Sequence, residues 1–125
     1  MPRISVVQIN VHDMDRAIEF YQLLGFGVAE RKHYPQIVKL AHDDVDRFAL
    51  LLYRVEQPST IDYPRDSQVL FNVETDDLEG ALGRLREQGV KVLHDTPETC
   101  PVGVYAGVRD PSGNVLELIE YRRSA

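Results

Sequence analysis

The chain has 125 residues, 27% of them charged and 43% hydrophobic, with 14 basic against 20 acidic side chains and a formal net charge of −6. That length suits a single domain, commonly about 100–150 residues, and the composition is globular rather than disordered. The longest apolar run, residues 48–53, is far short of the roughly 18–20 residues a membrane span needs, so no membrane partner is expected. The opening Met1-Pro2-Arg3-Ile4-Ser5 lacks the apolar core of a signal peptide. A single cysteine, Cys100, cannot pair within the chain, which suits a reducing, cytoplasmic setting. The acidic balance speaks against nucleic acid, whose phosphates want a basic face.

In chain order, residues 4–11 alternate, with Ile4, Val6, Gln8 and Asn10 on one face and Ser5, Val7, Ile9 and Val11 on the other. This predicts a first strand. Asp13 is a plausible helix cap, Met14, Ala17, Ile18 and Tyr21 form an apolar stripe, and Gly25 is placed to end the helix. Short strands follow at 27–31, 36–41 and 47–54, separated by turns at Pro35 and at His42-Asp43-Asp44. Residues 56–66, polar and carrying Pro58 and Pro64, read as a link.

The same plan then recurs. Ile9-Asn10-Val11 reappears as Phe71-Asn72-Val73, Ala17-Ile18 as Ala81-Leu82, Gly25 as Gly89 and Val28 as Val92. Thr75 or Asp76 is expected to cap a second helix with the stripe Leu78, Ala81, Leu82 and Leu85. Strands are expected at 90–94, 103–109 and 114–121, with a type I turn at Asp110-Pro111-Ser112-Gly113. The fold class is therefore α+β: one domain over 1–125, built from two tandem βαβββ repeats at about 1–57 and 66–125.

Two stretches carry a family resemblance. They are Asn10-Val11-His12-Asp13-Met14-Asp15-Arg16-Ala17-Ile18-Glu19-Phe20-Tyr21 with Leu24-Gly25-Phe26, and Val108-Arg109-Asp110-Pro111-Ser112-Gly113-Asn114-Val115-Leu116-Glu117-Leu118. With the duplicated plan, the chain resembles the glyoxalase, bleomycin-resistance and extradiol dioxygenase (vicinal oxygen chelate) superfamily. The resemblance implies curled mixed sheets around a cavity with helices outside, and a homodimer. The two modules then either pair within one chain or swap between chains. It says little about the reaction, because fold and function separate.

The family's metal-bearing positions fall by register on Val6, Leu50, Gln68 and Glu117. Catalytic zinc typically takes about three protein ligands, and valine and leucine donate nothing, so no divalent metal or other cofactor is expected. The four histidines, His12, His33, His42 and His94, fall at strand ends or turns without ligand spacing. His12 is the one nearest a cavity mouth.

The inward set is expected to be Val6, Gln8, Asn10, Phe48, Leu50, Leu52, Gln68, Leu70, Asn72, Val115, Glu117 and Ile119, mainly apolar with amides and one acid. That composition suits a small-molecule pocket. The candidate ligand-binding residues are Gln8, Asn10, Leu50, Gln68, Leu70, Asn72, Cys100, Tyr105 and Glu117. Glu117 is also the candidate catalytic group, because a carboxylate among Val, Leu and Ile can serve as general acid or base. Cys100 lies in the stretch Thr99-Cys100-Pro101-Val102-Gly103 at a cavity rim. Its bland reading is a small apolar residue. Tyr105, Tyr121 and Arg109 offer stacking or anion contacts, against plain packing for the tyrosines and a solvated strand end for Arg109.

The favoured function is metal-independent binding of a small organic molecule in a cavity formed by the two modules, in the manner of bleomycin-resistance proteins. The charge leans toward a cationic or neutral ligand. The alternative is a lyase, epimerase or transferase of glyoxalase type, metal-dependent or acting through Glu117. A third reading is an interaction domain whose cavity is filled by its own side chains.

Overall fold

A computed structural model describes residues 2–42, 49–66 and 69–123. The chain divides into two compact units, Met1–Thr60 and Ile61–Ala125. Both are mixed α+β.

In the first unit, β1 (Val7–Val11) leads to α1 (Met14–Leu23), then β2 (Phe26–Glu30), β3 (Ile37–His42) and β4 (Ala49–Arg54). The Asp13 carboxylate accepts from the Arg16 amide at 3.2 Å, satisfying one of the free N–H groups of the first helical turn. Gly25, with φ of +92°, follows the helix in the left-handed region that glycine tolerates. The sheet order is β1-β4-β3-β2, so β4 sits between a parallel β1 and an antiparallel β3.

Register assigns the two faces. Ile9 lies opposite Leu52 and Val7 opposite Leu50, while Val38 and Leu40 pair with those same leucines. With Val11, all of these except the half-buried Val7 form the buried layer that meets Met14, Ala17, Ile18, Phe20 and Tyr21 of α1. Burying each large aliphatic side chain contributes about 1.5–3 kcal/mol. Gln8 and Asn10 lie on the opposite face, level with Leu51 and Tyr53. The expectation that Leu50 and Leu52 share the Gln8 face is therefore corrected: both belong to the helix-side core. Phe48 lies outside the described residues.

The second unit repeats the order with one addition: β5 (Asn72–Glu74), α2 (Leu78–Glu87), β6 (Lys91–Val92), β7 (Glu98–Cys100), β8 (Gly103–Arg109) and β9 (Val115–Tyr121). The sheet runs β5-β9-β8-β6, with β7 also paired to β8. The rim stretch at 99–103 is thus a hairpin, with Cys100 opposite Gly103 across the Pro101-Val102 turn. The cap of α2 is Asp77, not Thr75 or Asp76, and its carboxylate accepts from the Gly80 amide at 3.0 Å. Thr75 instead accepts from the Asp77 amide at 3.3 Å. A side chain at Gly80 would run into the Asp77 carboxylate, which accounts for a glycine inside the helix. Gly83 has open space around it, and nothing in the structure explains it.

Leu116, Leu118, Ala106 and Val108 make the buried layer of this sheet, with Leu78, Leu82 and Leu85 from α2. Glu120, on the same face of β9, accepts from the Leu78 amide at 2.8 Å, so the final strand also caps the helix. Arg109, expected as an anion contact, donates to the Gly113 carbonyl at 2.9 Å and braces the β8–β9 turn. No helix among the described residues is long and apolar enough to cross a membrane.

Candidate functional site

Period-two alternation puts Glu117 on the face of β9 turned away from α2. Its register neighbours are Asn72 on β5 and Gly107 on β8. Tyr105 stands two residues along β8 from Gly107, on the same face, opposite Glu98.

Gly107 gives this face a flat floor. A Cβ there would lie 3.1 Å from ring atoms of Tyr63, so the phenol ring rests directly on the backbone. The Tyr63 hydroxyl donates to Oε2 of Glu117 at 2.7 Å. His94 closes one side. Its Nδ1 accepts from the Gly107 amide at 3.0 Å, so in the neutral ring Nε2 carries the proton. The imidazole meets Tyr63 edge-on at 5.7 Å and 89°, and Tyr105 at 5.7 Å and 79°. Such perpendicular pairs place ring edges against ring faces, the favoured electrostatic arrangement.

These contacts set the proton chemistry. Burial, then the hydrogen bond to Glu117, pushes the Tyr63 phenol well above the ordinary tyrosine range. Burial, then the Glu117 and Glu98 carboxylates, raises the Tyr105 phenol. Both hydroxyls therefore remain protonated donors across the physiological range, beside an acceptor carboxylate.

Of the remaining candidates, Gln8, Asn10 and Leu50 belong to the first unit, and Leu70, Asn72 and Cys100 to the second. Gln8 donates to Asn10 at 3.0 Å on an exposed face of the first unit. Leu50 is buried in the helix-side core. Leu70 is partly buried just ahead of β5, and Asn72 is exposed beside Glu117. Cys100 is partly buried in the hairpin. Gln68 lies outside the described residues. Tyr63 falls in the stretch 56–66 that the sequence presents as a link, and His94 among the histidines expected at strand ends or turns. Neither carries a local signal, since the partner of Tyr63 is 54 positions away and that of His94 lies on another strand.

Among the described residues, the positions that the family resemblance assigns to a metal offer Glu117 alone as a donor. Val6 carries no donor atom, Leu50 faces the helix and its neighbours Ala49 and Leu51 carry no donor either, and one Glu117 oxygen is engaged by Tyr63. Among the described residues, no group of three or more His, Cys, Asp and Glu side chains converges to hold a metal ion. A recess of about 510 Å³ opens elsewhere, beside Glu74, Asp76, Arg122 and Arg123. Those charges are exposed and opposed in sign.

The sequence matches the Glyoxalase/Bleomycin resistance protein/Dioxygenase superfamily over residues 3–118. It is 31% identical over 122 residues to the uncharacterized protein PA2024 of Pseudomonas aeruginosa, covering 94% of this chain and 87% of that one. Among solved structures, TnmS3, an antibiotic binding protein from Streptomyces sp. CB03234, is similar at TM-score 0.67 and 25% identity, covering 98% and 99% of the two chains. A glyoxalase family protein from Bacillus cereus shares the fold at TM-score 0.78 and 17% identity, covering 98% and 96%. On sequence and fold together, the chain belongs to the glyoxalase/bleomycin resistance/dioxygenase superfamily.

Proposed function

We propose that the protein binds a small organic molecule, without a metal, on the face of the second unit that carries Glu117. The observation that carries this reading is the grouping of one carboxylate with Tyr63, His94 and Tyr105 around Gly107, whose backbone the Tyr63 ring covers. A largely apolar and aromatic surface with a few convergent polar groups is the usual make-up of a small-molecule site. The likeness to an antibiotic binding protein supports the same reading. The metal-independent part rests on the aliphatic residues at Val6 and throughout residues 49–52. A homodimer in a reducing cytoplasm completes the proposal, supported by the family resemblance and by the single cysteine.

A thermal-shift screen across drugs, thioesters, glutathione adducts and aromatic acids tests it. Ligand at 100 times its dissociation constant adds about 2.7 kcal/mol, which such a screen reads easily. Glu117→Gln is expected to weaken each hit by about tenfold, the worth of one charge-assisted hydrogen bond. Hits bound as tightly by Glu117→Gln as by the parent protein remove Glu117 from the site. A stoichiometric metal in protein purified without chelator removes metal independence.

A further inference from the structure

Tyr63 approaches Glu117 from outside the sheet. It belongs to a small turn that closes on itself, with the Asp62 amide donating to the Asp66 carboxylate at 2.8 Å and the Asp66 amide to the Asp62 carbonyl at 2.7 Å. The turn is not a strand of the sheet, yet it lays a phenol ring on Gly107 and sets the hydroxyl against Glu117. Glycine in a strand costs about 0.5–1 kcal/mol relative to alanine, and Glu117 sets a half-buried carboxylate between the buried Val115 and Ile119. A floor without a side chain, an edge-on imidazole and a carboxylate acceptor together match a flat ring bearing one hydroxyl, as the Tyr63 ring seated there shows.

Building on the ligand site above, we propose that Tyr63 occupies the seat of an aromatic hydroxyl compound, and that such a compound binds by displacing the Tyr63 ring. The incoming ring lies on Gly107 with its edge or face toward His94, and its hydroxyl donates to Glu117 in place of the tyrosine. The chain thus carries a tethered mimic of its own ligand. The tether competes with every weak phenol and lets through those that make further contacts. Bonding here is non-covalent, and no bond forms or breaks.

The probe is p-cresol, the tyrosine side chain as a free molecule, with toluene as the control lacking the hydroxyl. Both are titrated into the full chain by calorimetry or ligand-observed NMR. Tyr63→Ala is expected to bind p-cresol about tenfold more tightly than the parent protein, and to prefer it over toluene by about fivefold. Adding Glu117→Leu to Tyr63→Ala is expected to erase that preference. Equal p-cresol affinity in parent and Tyr63→Ala overturns the proposal, as does a preference that survives Glu117→Leu. Where Tyr63→Ala does not fold, Tyr63→Phe decides. Its ring still covers the floor but lacks the anchoring hydroxyl, so p-cresol must bind about threefold more tightly than to the parent, and no gain overturns the proposal. Another small molecule that binds through Glu117 while p-cresol fails sinks the aromatic hydroxyl assignment alone. Loss of all Glu117-dependent binding sinks the ligand site with it.

Discussion

Replacing Gly107 by alanine tests the packing of the Tyr63 ring. The added methyl would stand 3.1 Å from Cε1 and Cζ of Tyr63 and 3.4 Å from Cδ1 of Leu93. Carbon atoms prefer about 3.5–4.0 Å, so the ring must lift by roughly 0.5–1 Å. Its hydroxyl now sits 2.7 Å from Glu117, and that displacement carries it past the roughly 3.0 Å limit of a good O–H···O bond. A hydrogen bond to a charged group contributes about 1.5–3 kcal/mol. Both partners are half-buried and water replaces part of the contact, so the lower figure applies. Alanine recovers about 0.5–1 kcal/mol over glycine in a strand. The expected net loss is about 0.5–1 kcal/mol, or a fall of about 2–6 °C in melting temperature. In a Tyr63→Ala background the obstruction is gone, and the same substitution should stabilise by about 0.5–1 kcal/mol. Urea denaturation of the parent, both single variants and the double variant reads this change of sign. Equal effects in the two backgrounds, within the roughly 0.3–0.5 kcal/mol expected of independent sites, would refute the stacking of Tyr63 on Gly107.

Three further outcomes are expected. The Tyr63 phenol is raised in the folded chain, so the native state holds its proton after the unfolded state has lost it. Its contribution to stability is complete below the unfolded value of about 10 and declines as pH rises above it. Tyrosinate absorbance should show Tyr63 silent at about pH 11, released only on unfolding, and Tyr63→Phe should remove that step; full native titration there contradicts it. Asp77→Ala should cost about 1 kcal/mol through the lost cap, and Gly80→Ala should stabilise only in that background, by about 0.8–1 kcal/mol; stabilisation by Gly80→Ala with Asp77 intact would show that the cap is not in the way. Leu52→Ala, at a fully buried site, should cost about 2–5 kcal/mol by chemical denaturation, and a cost below about 1 kcal/mol would place Leu52 on the open face after all.

The sequence carried the repeat and the helices because their signals are local. Asp13 and Gly25 bracket α1, and the stripe from Met14 to Tyr21 is the face that is buried. Alternation around Ile9 and Val11 assigned β1 to the right faces. It failed for Leu50 because residues 48–53 are apolar throughout, and a run without alternation has no readable parity. Asp77 displaced Thr75 and Asp76 as the cap because three adjacent residues can all cap, and only the backbone angles choose among them. Glu117 and Tyr105 stood out as polar groups in apolar strands, and they share one face. Tyr63 did not stand out. It sits between prolines in a polar stretch without periodicity, and its partner is 54 positions away. His94 is similar: the acceptor role toward Gly107 depends on a β6–β8 pairing that local sequence does not encode.

In each unit the strand that comes last in the sequence, β4 or β9, lies inside the sheet rather than at its edge. During synthesis the earlier strands therefore emerge before the strand that joins them. Until β9 arrives, β5 and β8 each offer a bare hydrogen-bonding edge, and α2 lacks the Glu120 carboxylate at its amino end. Such edges are the places where nascent chains associate wrongly. A ribosome stalled before Val115 would hold a second unit that cannot close, so slow translation just upstream should raise the demand for chaperones.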